Sequence, residues 1–305
     1  MRFFLTLLPE LLLGVLLGAC AARPVAPLVV SAPVIAPPVA VAPGVRARPK
    51  IALALGGGAV RGFAHIGVIK ILEQNGIVPD FVVGTSAGSV VGALYAGGLD
   101  GFGLQRAALA MDDGVLADWS ISGLSRGLFK GELLENYVNE QVRGRTLEKL
   151  TRPFAVVATD LASGEAVIFR SGNTGTAVHA SSAVPGAFRP VRINGREYVD
   201  GGLTHPVPVA AARAMGADLV IAVDVSQNPR NSRADDLAGI LLQTFAIMGR
   251  SIARGELKGD DLIVIRPETV AAGADFAARH AVILEGERAA LAALPRIRER
   301  LAAVK

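Results

Sequence analysis

Cysteine is almost missing from this chain: there is one in 305 residues, Cys20. That excludes an intramolecular disulfide and any cysteine-built zinc site. Histidine is nearly as scarce, with His65, His179, His205 and His280 making up the four. So few still leave room for a single histidine base. Charged residues are only 19% of the chain, and 31 Lys and Arg against 27 Asp and Glu leave a net charge of +4. Aromatic residues are 5%, and no basic stripe interleaves with them, so nucleic acid is not an expected partner. What the chain does have is apolar side chains, 51% of the total, enough to bury one large core or two. The strand pattern below argues for one.

An apolar segment opens the chain. Met1-Arg2 is a short basic start, and Phe3 to Ala19 is interrupted by Pro9 and Glu10. It is too short for a lasting membrane span but suits a secretory signal. Leu17-Gly18-Ala19-Cys20 resembles the bacterial lipobox, in which small residues precede a cysteine that is lipidated and becomes N-terminal on cleavage. Residues 1–20 are therefore expected to be a signal peptide with a lipobox-like end, and Cys20 the site of lipidation. Ala21 in place of an aspartate favours, by the same resemblance, sorting to the outer membrane. The expected location is the bacterial envelope, anchored by lipid at the outer membrane and facing the periplasm. Residues 21–49 hold Pro24, Pro27, Pro33, Pro37, Pro38, Pro43 and Pro49 among Ala and Val. Such a stretch cannot pack a core and predicts an extended spacer of at most about 90 Å. One domain is expected over residues 50–305.

The stretch that organises that domain is Phe81 to Gly98. Phe81-Val82-Val83 leads into Gly84-Thr85-Ser86-Ala87-Gly88, and a small-residue helical pattern follows. This is the strand–turn–helix setting of a G-x-S-x-G nucleophile elbow. A serine at so sharp a turn holds a strained backbone, and its neighbours two residues away must be nearly bare to clear it. The helix that follows aims its first amides at the place where negative charge would develop.

A second glycine motif comes earlier. The apolar strand Ile51 to Leu55 runs into Gly56-Gly57-Gly58-Ala59-Val60-Arg61-Gly62, and a helix ending at Gly76 follows. A dinucleotide fingerprint would need glycine where Arg61 stands, and a P-loop would need Gly-Lys-Ser/Thr. The loop reads better as an oxyanion hole formed by the amides of Gly57, Gly58 and Ala59 beside the serine, with Arg61 holding or capping it.

Residues 100–130 mix Gly, Ser and Asp with Trp119 and Phe129, and read as an irregular, lid-like region over the site mouth. Helices are expected over 132–142, 174–183, 206–215, 237–252 and 279–304. Strands are expected over 154–159, 218–225 and 261–265, with Val167-Ile168-Phe169 as a hairpin partner and another strand ending at Asp200. Five apolar strands separated by helices predict a mostly parallel, doubly wound α/β sheet. Active groups then belong at the carboxyl ends of its strands. Ser86, the glycine loop, Asp160 and Asp200 all fall there.

A serine hydroxyl needs a base. His280 is the only histidine late enough for the α/β-hydrolase order, yet it falls within a helix; His65 follows the glycine loop in a helix, and His205 lies shortly after Asp200. The other option is a carboxylate acting directly. Asp200, followed by Gly201 and Gly202, is the best placed.

Gly56-Gly57-Gly58, Arg61-Gly62, Gly84-Thr85-Ser86-Ala87-Gly88 and Asp200-Gly201-Gly202, in that order, resemble the patatin-like phospholipase family. Residues 158–165 and 180–188 are similar to its other blocks, and the resemblance is strongest over 50–225. It implies a three-layer α/β/α fold with a mostly parallel central sheet. It also implies a serine hydrolase with a Ser86–Asp200 dyad, an oxyanion hole at Gly57 to Ala59, and neither metal, cofactor nor catalytic histidine. The implied partner is a lipid or phospholipid acyl ester. Three positions depart from the family's usual residues: Ala59, His179 and His205 stand where Gly, Arg and Asn are common. Two rival readings keep the fold, a non-catalytic lipid-binding surface lipoprotein and an acyltransferase. No signal for an oligomeric state is present.

Overall fold

Alternation along the first strand decides how the layers stack. In Ile51-Ala52-Leu53-Ala54-Leu55 the large side chains enter one core, with Val82, Leu219, Ile221 and Ile263, and the alanines enter another, with Val83, Val220 and Leu262. Opposite faces of one sheet thus carry separate apolar clusters, as the two-residue period of a strand requires. A helical layer covers each. These features belong to a computed structural model that describes residues 48–111, 115, 131–226, 237–268 and 278–303. The expected signal peptide, Cys20, nearly all of the spacer and most of the expected lid (112–114 and 116–130) lie outside the described residues.

In chain order the elements are β1 (Ile51–Leu55), α1 (Ala64–Gln74), β2 (Phe81–Thr85), α2 (Ala87–Ala96), α3 (Gly101–Leu109), α4 (Glu132–Gln141), β3 (Phe154–Asp160), β4 (Ala166–Phe169), α5 (Thr174–Ser182), β5 (Val191–Ile193), β6 (Arg196–Asp200), α6 (Val209–Ala214), β7 (Leu219–Val223), α7 (Leu237–Glu256), β8 (Leu262–Ile265) and α8 (Arg279–Ala303). The strands β3, β2, β1, β7 and β8 pair in parallel, in that order. The first four are buried along their whole length, as parallel strands between two helical layers must be. This is the expected three-layer α/β/α arrangement with a mostly parallel sheet.

The antiparallel part of the sheet creates the site. β2 pairs with β3 up to Thr85 opposite Val157, and β6 pairs with β3 from Asp200 opposite Ala158. β4 pairs with β3 across both stretches, from Val156 to Thr159. A strand has two edges, so β2 and β6 must share the edge that β4 leaves free. They run along it in opposite directions and meet end to end. The last residue of β6 therefore faces the turn that ends β2.

Just past the glycine loop, α1 and α8 cross with their backbones in contact. A Cβ on Gly67 or Gly286 would strike the carbonyl of Ile283 or Ala64 respectively. Lys70 of α1, paired with Glu287 of α8, lies beside that crossing.

Three expectations on the chain's course change. Residues 101–109, expected to be irregular, form α3. Two early glycines weaken its propensity, but the Asp100 carboxylate accepts from the Gly103 amide at 2.6 Å and caps it, while Leu104 and Ala108 bury one face. Asp100→Ala should cost about 1 kcal/mol in urea unfolding and leave activity unchanged. α6 starts only after Pro208, which takes its N-cap, and α7 runs one turn further than expected, to Glu256. The short β5, with a single buried residue, carries too little alternation to be read in the sequence.

Candidate active site

The chain turns from β2 into α2 through Ser86 alone, and Ser86 has a positive φ of 51°. A non-glycine residue there is strained and persists only when its surroundings over-determine it. Here they do. The Ser86 amide donates to Ser181 Oγ at 2.8 Å, and that hydroxyl in turn donates to the Val157 carbonyl. The Ser86 carbonyl accepts from the Ser89 amide at 2.7 Å and from Ser89 Oγ at 2.6 Å. The flanking glycines give the turn room: a Cβ on Gly84 would sit 2.5 Å from Ser89 Cα, and one on Gly88 would strike the Leu55 carbonyl.

The serine hydroxyl donates to Asp200 Oδ2 at 2.7 Å. Asp200 is held on every side. Its amide donates to the Ala183 carbonyl at 2.9 Å, its carbonyl accepts from Thr159 Oγ1 at 3.0 Å, and Oδ1 accepts from the Gly202 amide at 2.7 Å. Gly201 has to be bare because a Cβ would meet the Val157 carbonyl, where β2 and β6 come together. Asp200 is 2% exposed. Burial raises its pKa from 3.8 to about 6, and the bonds from Ser86 and the Gly202 amide pull against that rise. The result is a carboxylate ionised at neutral pH yet much more basic than one in water, as proton abstraction from a hydroxyl requires.

The glycine loop lies against this pair. A Cβ on Gly57 would be 3.2 Å from Ser86 Cβ. The Gly56 and Gly57 amides hold the loop in place, donating to the Val223 and Pro206 carbonyls at 3.0 and 2.9 Å. Gly58 caps a 3-10 turn over Ala59–Phe63, and Ala59 has a positive φ of 49°. The first amides of such a turn have no partner within it, and both residues line the cavity in front of Ser86. Gly62 packs so closely on α2 that a Cβ would lie 2.6 Å from Ala87 Cβ. Arg61 is buried, its pKa lowered by desolvation to about 10, and its Nε donates to the Val225 carbonyl at 2.9 Å. It ties the loop to the chain leaving β7.

The remaining expected residues find other work. Asp160, also at a strand end, accepts at Oδ1 from the amides of Ala162 and Ser163 and pairs with Arg196. The Ser163 amide and Arg196 hold its pKa below the ordinary carboxylate value, against the effect of burial. It shapes the β3–β4 turn. His65 is buried, bonds the Gly56 carbonyl at 2.8 Å, and is pushed by burial to a pKa of about 4. His179 pairs with Glu135 and His205 with Glu256, while His280 is exposed on α8. None of the four bonds Ser86.

Two parts of the site were missed in the sequence. Ser181, which orients the Ser86 amide, lies inside the 180–188 block, but nothing local reveals its bond. The second is α7: Leu242, Phe245, Ala246, Gly249 and Arg250 form one wall of the cavity. Their spacing of three and four residues is legible, but it reads as ordinary core.

Fold and site together define an α/β domain with a serine on a strand–helix elbow, an aspartate bonded to it, and a glycine loop facing both. A family model described as patatin-like phospholipase matches residues 53–213, and the chain belongs to that family. It is 37% identical over 205 residues to an uncharacterised NTE family protein of Mycobacterium tuberculosis, a match covering 67% of this chain and 56% of that one. It is 33% identical over 206 residues to patatin-like phospholipase domain-containing protein 6 of Homo sapiens, covering 62% of this chain and 14% of that one. The chain therefore spans little more than half of the mycobacterial relative and a small part of the human one. Among solved structures, the full-length ExoU of Pseudomonas aeruginosa in complex with SpcU matches at a TM-score of 0.48 and 16% identity, over 83% of this chain and 53% of that one.

Proposed function

We propose that this protein is a serine acyl hydrolase that cleaves lipid or phospholipid esters through Ser86 and Asp200. The observation that carries the proposal is the 2.7 Å bond from Ser86 Oγ to a buried carboxylate. Ser86 Oγ attacks the ester carbonyl as its proton passes to Asp200. The oxyanion is met by the amides of Gly58 and Ala59, while Gly57, whose amide is engaged with Pro206, holds the loop. Asp200 then returns the proton to the leaving alcohol. Water, deprotonated by Asp200, releases the acyl group.

The cavity walls favour a lipid. Val184, Phe188, Leu242 and Phe245 supply apolar surface for an acyl chain, and Arg61 and Arg250 line the same space without a carboxylate partner among the described residues. Two guanidinium groups over an apolar floor suit an ester that carries phosphate.

The test compares a soluble p-nitrophenyl ester and a phospholipid as substrates for the protein and for Ser86→Ala. Hydrolysis of both, lost in the variant, supports the reading; no hydrolysis by folded wild-type protein sinks it. The base adds a pH signature. Only ionised Asp200 accepts the proton, so kcat/KM on the soluble ester should be flat above pH about 6 and fall roughly tenfold per unit below it. A profile falling through a higher pKa would mean another base.

We further propose that Cys20 carries the lipid anchor and that the proline-rich stretch tethers the domain to the envelope membrane. Cys20→Ala should then shift the protein from the membrane fraction to the soluble one. Unchanged membrane association would contradict the anchor.

A further inference from the structure

α7 has two apolar faces, and only one is accounted for. The face with Leu242, Phe245, Ala246 and Gly249 lines the cavity. On the opposite side Ile240, Leu241, Ile247 and Met248 are each about half exposed, at 51%, 51%, 51% and 52%. At 3.6 residues per turn these four fall on a single stripe. Thr244 lies between them, and its hydroxyl donates back to the Ile240 carbonyl at 2.8 Å, so its hydrogen stays within the helix. Arg250, which also lines the cavity, and Arg254 follow Ile247 along one edge of the stripe, between the two faces. Glu256, the one acid on the helix, is occupied by His205.

Resting on the lipid-hydrolase reading above, we infer that this stripe lies in a phospholipid surface, with Arg250 and Arg254 meeting lipid phosphates at its edge, so that the cavity opens onto the membrane holding the substrate. Ile240 to Met248 rises about 12 Å, and four large side chains each about half exposed present on the order of 400 Å² of apolar surface. A stable protein partner takes about 800 Å² per side. A lipid interface takes a single amphipathic helix with arginines flanking the apolar side. No helix among the described residues is long and apolar enough to cross a membrane, so α7 would lie in the interface, not through it. The geometry also explains why one helix carries both faces. A lipid leaving the surface beside Met248 has only to pass around α7 to reach Phe245 and Ser86.

The test places a fluorescent probe on the stripe. The sequence has a single tryptophan, Trp119, so the full-length protein with Trp119→Phe takes either Met248→Trp or, on α8, Leu291→Trp, which is equally exposed at 51%. Each is mixed with phosphatidylethanolamine–phosphatidylglycerol vesicles whose acyl chains are brominated. Tryptophan at 248 should shift to the blue and lose at least half its emission, while tryptophan at 291 should be unchanged. No quenching at 248, or equal quenching at both positions, would overturn the inference. Both variants carry the same N-terminal segment, so an anchor there cannot produce the difference.

A second measurement uses Ile247→Glu with Met248→Glu. Vesicle phospholipid hydrolysis should fall about tenfold, and the soluble ester should be cleaved at the wild-type rate. Equal rates on vesicles, or loss of the soluble ester rate as well, would contradict it. The tryptophan signal needs no turnover, so failure of the hydrolase reading, seen as absent ester cleavage by wild type, is recorded separately.

Discussion

Asp200→Asn is expected to lose at least about a thousandfold in kcat on any ester and to melt at a higher temperature than the wild type. The loss follows from removal of the base. The asparagine keeps the oxygen that accepts from Gly202, and its amide can still meet Ser86, but it cannot take a proton. The gain in stability follows from the same burial. A carboxyl whose pKa is raised on folding, from 3.8 to about 6, favours the fold when protonated. That contribution is fully present below about pH 4 and is lost as pH rises through about 6. At pH 7 the ionised, desolvated Asp200 therefore costs on the order of 3 kcal/mol. A neutral asparagine removes that cost, so the difference between variant and wild type should be largest above pH 6 and vanish near pH 4. Thermal melts at two pH values measure it. An Asp200→Asn protein that melts lower than wild type at pH 7 would mean that the Ser86 bond stabilises more than the buried charge costs. A variant that keeps its turnover would dismiss Asp200 as the base. The trade of stability for function is typical of an active-site group.

Gly88→Ala should leave little folded protein. Its Cβ would strike the Leu55 carbonyl and crowd that of Gly56, and both are backbone atoms at the root of the glycine loop. A flexible side chain could turn aside, but a strand end packed between two neighbours cannot. The expected cost is about 3 kcal/mol or more, the upper range for overpacking, read as a lowered denaturation midpoint or loss of soluble protein. Gly216→Ala is the informative control. Gly216 also has a special backbone, with φ of 89°, but a Cβ there would meet nothing within 4 Å. It should lose only the smaller cost of a left-handed conformation, about 1 kcal/mol. Similar losses at both positions would show that the contact at Gly88 relaxes.

The two cases mark what was legible in the sequence. The elbow could be read because strand, turn and helix are consecutive, and each of its glycines clears a neighbour close in the chain or on the adjacent strand. The parallel sheet could be read from its apolar strands. Asp200 was visible as an acid ahead of two glycines, and the family resemblance gave it a role, but its position opposite Ser86 depends on β3. That strand pairs with β2 up to Val157 and with β6 from Ala158, a register decided over more than a hundred residues of sequence. Long-range bonds were equally hidden. Pro206 takes the Gly57 amide, which leaves Gly58 and Ala59 as the open part of the proposed hole, and Ser181 takes the Ser86 amide. α3 was misjudged because glycine propensity is weaker evidence than an aspartate cap and two buried side chains. In α7 the apolar pattern was visible, but which face lines the cavity and which meets solvent is settled only by the packing.

The central claim is that Ser86 is activated by Asp200 without a histidine. Its most direct test is fluorophosphonate labelling followed by peptide mapping, as a function of pH, for the wild type, Asp200→Asn, and His179→Ala and His205→Ala. A single adduct on Ser86 is predicted, forming at a rate governed by one ionisation near pH 6. It should persist in both histidine variants and be lost in Asp200→Asn. An adduct on another residue, or labelling that survives in Asp200→Asn and disappears with a histidine, would contradict the account.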